Sequence, residues 1–237
     1  MKRGLRTHAD WLGLAAAIVL TVSACGGGEG GEEVKARTLR ETRAGKLPAG
    51  RYVSDEFEPA MSFRLGEGWQ VPEHSGEWLE TQTNLSLIGS PPLGAYWLEF
   101  MTIPKVYEIV SSSEARAQPV PQDIVAWLQQ HTYLNTEKPK QIRVGGERSQ
   151  QLDVAPSSIP QDFYGSGCPE PCLPLFEVVA GDEASMYELF EDDKVRFIVV
   201  GDVKGTTVTI GILGPAKRFE EFLLKAQNVL DTVEWKE

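Results

Sequence analysis

One apolar stripe near the C-terminal end constrains the fold most. Phe219, Phe222, Leu223, Ala226, Leu230 and Val233 recur at three- and four-residue spacing. That period places them on one face of a helix. Gly214-Pro215 opens the element, and Glu221 with Lys225 makes an i, i+4 pair in the favourable order. A helix of this kind must bury its stripe against another element. The chain just before it supplies apolar runs: Leu175 to Ala180, Met186 to Glu191, Lys194 to Val200 and Thr206 to Leu213. Short polar segments at Gly181, Asp192-Asp193 and Gly201 to Gly205 separate them. Consecutive strands joined by short turns predict an antiparallel meander.

Upstream segments extend the pattern. Met61, Phe63 and Leu65 share one face of a strand, which Gly66-Glu67-Gly68 turns ahead of Trp69. Leu85 to Ile88 is a second short strand. From Ala95 to Ile103, Tyr96, Leu98 and Phe100 face one way, with Trp97, Glu99 and Met101 opposite. Ser111 to Pro121 is polar and contains proline, which predicts a surface loop. Pro121 to Gln130 reads as a helix with Pro121 at its first position and a stripe of Ile124, Trp127, Leu128 and His131. That stripe assigns Trp127 to the core and His131 to a helix end. Ile142 to Val144, Gly145-Gly146 and Ser149 to Val154 predict a hairpin. An antiparallel sheet needs one face covered, and two amphipathic helices can cover it. The expected fold class is therefore α+β in two layers, an antiparallel sheet covered by two helices.

The N-terminal end carries an address. Lys2, Arg3 and Arg6 precede an apolar run from Trp11 to Val22, which ends in small residues. Those three regions make a secretory signal. About 12 residues at 1.5 Å each span roughly 18 Å, short of the roughly 30 Å needed to cross a bilayer as a helix. Val22-Ser23-Ala24-Cys25 resembles the bacterial lipobox. The resemblance implies cleavage before Cys25, a lipid on its thiol, and an extracytoplasmic protein anchored to the cell membrane. Gly26 to Glu33 is Gly-rich and acidic, with nothing apolar to bury, so it predicts a tether. The expected organisation is a signal peptide over 1–24, a lipidated tether over 25–50 and a single α+β domain over 51–237.

Charge narrows the partners. The chain has 23 basic and 34 acidic side chains. Without Lys2, Arg3, Arg6 and Asp10 it keeps 20 and 33, a net charge of −13. That balance disfavours nucleic acid and anionic headgroups. With Cys25 assigned to lipid, Cys168 and Cys172 remain as an even pair, and an extracytoplasmic location permits a disulfide between them. A structural zinc site wants four ligands, and neither His74 nor His131 is near in sequence. A redox-active pair is the remaining option, although thioredoxin-like sites have two intervening residues and this pair has three.

Catalytic motifs are missing from the sequence. It has no Gly-x-Ser-x-Gly, no phosphate-binding Gly-x-x-x-x-Gly-Lys-Ser/Thr and no His-Glu-x-x-His. Glu191-Asp192-Asp193 reads as a solvated turn before it reads as a calcium site. Aromatic residues are more suggestive. Trp69, Trp78 and Trp97 are candidates for lining a cleft for a small apolar or ring-bearing ligand, with core or sheet cover as the simpler role.

Three stretches carry a family resemblance: Phe57 to Trp69, Ile124 to Leu128 through Val144-Gly145-Gly146, and Val199 to Gly205 running into the final helix. Together they resemble uncharacterised lipoproteins of actinobacteria, and the last resembles the closing hairpin and helix of Mog1/PsbP-like domains. The resemblance implies a non-enzymatic accessory or binding domain with no shared catalytic set. The expectation is a membrane-anchored module that contacts membrane lipid through Cys25 and binds an envelope protein or small molecule. It needs no cofactor and no metal. The alternative is an envelope-associated hydrolase using a carboxylate pair.

Overall fold

A computed structural model describes residues 36–39, 45–71, 80–89, 96–111, 114–159, 163, 168, 170–180 and 183–236. The first strands are β1 (Arg37–Thr38), β2 (Gly45–Leu47), β3 (Gly50–Ser54), β4 (Met61–Leu65) and β5 (Trp69–Val71). Next come β6 (Asn84–Gly89), β7 (Trp97–Met101), β8 (Lys105–Ser111), β9 (Glu114–Pro119) and helix α1 (Ile124–Gln130). Then follow β10 (Leu134–Thr136), β11 (Lys140–Val144), β12 (Glu147–Pro156), β13 (Leu173–Ala180) and β14 (Glu183–Leu189). The chain closes with β15 (Asp193–Val203), β16 (Thr206–Pro215), helix α2 (Phe219–Leu230) and β17 (Glu234–Trp235).

A long central sheet runs β10-β12-β15-β16-β7-β6-β5-β2, with β11 paired to β12. Its neighbouring strands are antiparallel. Both of its faces are buried. On one side, Leu85, Leu87, Leu98, Phe100, Ile210 and Ile212 meet α2 and the small sheet β1-β3-β4-β17. On the other, Met101, Leu152, Val154, Val195 and Phe197 meet α1 and the small sheet β14-β13-β8-β9. Strand alternation makes this possible: Leu98 and Phe100 point to the first core, Met101 to the second.

The α+β class holds, with sheets antiparallel except for the β1–β3 pair and two α-helices among the described residues, but the layering differs from the two-layer expectation. The helices lie on opposite faces of the central sheet, and each face is completed by a further sheet. The cause is the second apolar face, since Leu152, Val154, Val195 and Phe197 are almost fully buried and need a second cover. The segment 111–121, expected as a loop, contains β9, whose Ala115 and Ala117 oppose Ile109 and Tyr107. The expected meander is also broken. β13 and β14 pair in one small sheet, β15 and β16 in the central one, and Asp192-Asp193 carries the chain between layers.

The folded unit starts before Arg51. β1 pairs with β3, β2 pairs with β5, and Leu39 and Leu47 are buried in the first core. Their apolar side chains override the charge of the surrounding segment. The predicted Glu221–Lys225 pair does not form. Arg218 takes Glu221 at 2.7 Å, while the Lys225 ammonium donates to the Gly68 carbonyl and lies 4.8 Å from the Trp69 ring centroid. The turn between β11 and β12 does follow the sequence. Gly145 and Gly146 both have positive φ, as a two-residue hairpin turn of the primed type requires. No described helix is long and apolar enough to cross a membrane.

Candidate functional site

Helix α1 contributes residues to two surface clefts. Asp123 caps its start, accepting from the Ala126 amide at 2.9 Å. Ile124, Val125 and Leu128 bury the inner face. His131 caps the C-terminal end in an extended conformation, and its N–H donates to the Leu128 carbonyl. The chain then turns sharply, and the Leu134 amide donates back to the His131 carbonyl. The result brings three rings together outside the core. Trp127 and His131 meet edge-on with centroids 5.2 Å apart, and His131 and Tyr133 lie 6.3 Å apart. Trp127 is backed by Phe176, with centroids 5.8 Å apart.

These rings line a cleft of about 420 Å³, closed on the other side by Glu108, Ile109 and Gln118 from β8 and β9. Burial pulls the His131 imidazole down to about 4, so the ring is neutral at neutral pH. Its Nδ1 accepts from the Tyr133 amide at 3.4 Å, which leaves Nε2–H as the donor. The cleft therefore combines aromatic surface, a neutral donor, an amide on Gln118 and another on Gln130, and one carboxylate, Glu108.

A second cleft, of about 650 Å³, lies at the other end of α1 and shares Pro121 with the first. Gln122, Gln141, Arg148, Gln150, Thr207 and Thr209 give it a polar lining. Its carboxylate, Asp123, already caps the helix. Glycoside hydrolysis uses two carboxyl groups facing each other about 5–9.5 Å apart. Each of these two clefts offers one.

Deeper in the same layer sits a polar row. Ser86, Glu99 and Gly211 are register partners across β6, β7 and β16. Ser86 donates to Glu99 Oε1 at 2.8 Å, and Asn84 Nδ2 donates to Ser86 at 3.3 Å. Glu99 is partly buried as a residue while its carboxyl is enclosed, and that burial pushes it up to about 7. Gly211 leaves room here, since a Cβ at that position would stand 2.8 Å from the Tyr187 hydroxyl.

The two described tryptophans expected to line a cleft, Trp69 and Trp97, lie apart. Trp69 is buried in the first core against Phe222, at a centroid distance of 5.7 Å. Trp97 is half-buried and, by strand alternation, on the opposite face of the central sheet. Trp78 lies outside the described residues, as does Cys25. Cys168 and Cys172 are joined in a disulfide. Trp127, assigned to the core by its helical stripe, turns out to be half-buried and to form one wall of the aromatic cleft. The signal was its i, i+4 spacing from His131 with Tyr133 two residues on.

No family model matches the chain, and no curated protein matches it. Among solved structures, the fold is similar to the solution structure of cyanobacterial PsbP (CyanoP) from Synechocystis sp. PCC 6803. The identity is 12%, the TM-score is 0.38, and the match covers 80% of this chain and 93% of that one. Those values are too low to assign this chain to that protein's family.

Proposed function

We propose that this chain is an extracytoplasmic binding module, anchored through lipid on Cys25, that holds a small ring-bearing polar ligand without transforming it. The Mog1/PsbP-like domain implied by the sequence is the framework for that reading. One observation carries it: Trp127, His131 and Tyr133 converge on a cleft with a single carboxylate. Ligand sites are largely apolar or aromatic, with a few placed polar groups. Here the ring faces suit the C–H surface of a saccharide, while Glu108, Gln118, Gln130 and the His131 Nε2–H suit its hydroxyls. Glu108 and the chain's acidity disfavour an anionic ligand.

Tryptophan fluorescence tests the reading. N-acetylglucosamine oligomers and cellobiose, titrated into the purified protein, are expected to change the emission of the wild type and not of Trp127→Ala. An unchanged response in Trp127→Ala places the ligand elsewhere. Anchoring is tested separately: Cys25→Ser is expected to move the protein from the membrane fraction to the soluble one.

A further inference from the structure

The Cys168–Cys172 pair has features that a mere staple does not need. Closing a ring this short gains little, because the entropic benefit grows with loop length. The two sulfurs are unequally placed. Cys172 is fully buried just before β13, with its amide donating to the Phe163 carbonyl, while Cys168 is half-exposed. A carboxyl group stands beside them. Glu188 Oε2, on β14, lies 2.8 Å from Cys168 Sγ, and both sulfurs and the carboxylate oxygen fall within 4.8 Å of one another. A bridged sulfur carries no proton, so the hydrogen in that contact belongs to the carboxyl. Among the described residues, buried Glu188 Oε1 has no hydrogen-bond partner, a costly arrangement for a carboxylate and a cheaper one for a neutral acid. Burial also raises this carboxyl above its ordinary range.

The geometry points to a thiol–disulfide exchange site, with Cys168 as the attacked sulfur, Cys172 as the leaving sulfur and Glu188 as the proton donor. The substrate class is small or protein-borne thiols. An incoming thiolate forms a bond to Cys168 Sγ, the Cys168–Cys172 bond breaks, and its electron pair goes to Cys172 Sγ. That sulfur takes a proton from solvent. A second thiolate attacks the substrate sulfur of the mixed disulfide and releases Cys168, whose sulfur takes the proton of the neighbouring Glu188, and solvent reprotonates Glu188. Two substrate thiols are oxidised to one disulfide, and the protein pair is reduced. In reverse, the Glu188 carboxylate accepts the Cys168 proton. This site is independent of the aromatic cleft.

The test uses the folded, full-length protein in mixtures of reduced and oxidised glutathione, with thiols counted by alkylation and mass spectrometry. The wild-type pair is expected to interconvert with the buffer while the fold persists. Cys172→Ser is expected to trap glutathione on Cys168. Glu188→Gln is expected to keep the wild-type thermal midpoint and slow exchange by about a hundredfold. A pair that stays oxidised in excess reduced glutathione until the protein is unfolded overturns the proposal. So does a Glu188→Gln variant that exchanges at the wild-type rate.

Discussion

Replacing Glu99 with Gln isolates the cost of charging a group inside the second core. The side chains are nearly the same size, and the Ser86 hydroxyl can still donate to Oε1, now an amide oxygen. In the native chain this carboxyl sits at about 7, against 4.5 ordinarily. Between those values the native state holds a proton that the unfolded chain has released. Stability therefore falls as pH rises through that window. Each pH unit crossed is worth about 1.4 kcal/mol, so the full penalty above pH 7 is about 3 kcal/mol. Below pH 4.5 Glu99 is neutral in both states and the penalty vanishes. Urea unfolding of wild type and Glu99→Gln from pH 4 to pH 8 reads the difference directly. The variant is expected to gain almost nothing over wild type at pH 4 and about 3 kcal/mol at pH 8. Other shifted groups, such as Glu80 and Asp193, are common to both chains and cancel. A gain that is the same at every pH refutes the enclosed-carboxyl account.

Two further outcomes are expected. His131, titrated by proton–nitrogen NMR, is expected to protonate at about 4. Its neutral form contributes stability above pH 6.5 that is lost as pH falls through 4, and a midpoint at 6.5 would place the ring in open solvent. Asp153→Ala removes the carboxylate that Arg196 grips at 2.5 and 2.7 Å between β12 and β15. With Asp153 almost fully buried, leaving Arg196 without it is expected to cost about 3 kcal/mol by urea unfolding.

Much of the fold was legible because periodicity reports burial. The stripe on α2, the alternation in β7 and the glycine turn at Gly145-Gly146 each encode a local rule. Layering was not legible. A strand buried on both faces and one buried on a single face both carry apolar residues, and nothing local says that β14 leaves the sheet that β15 joins. β9 was hidden because its exposed face is polar, as edge strands often are. The candidate site was half legible. His131 was correctly a helix end, but Trp127 has an apolar back against Phe176 and an open front, and a helical stripe registers only the back. Glu99 and Glu188 gave no signal at all, because their chemistry comes from burial and from partners 13 and 20 residues away that no local pattern marks.

The Trp127–His131–Tyr133 cleft is proposed as the ligand site. Its most direct measurement is an NMR titration of the assigned protein with N-acetylglucosamine oligomers and cellobiose. Saturable shifts are expected at Trp127, His131, Tyr133, Gln118 and Gln130, with affinity lowered at least about tenfold by Trp127→Ala. Saturable shifts that cluster away from these residues, or none with any probe, would contradict it.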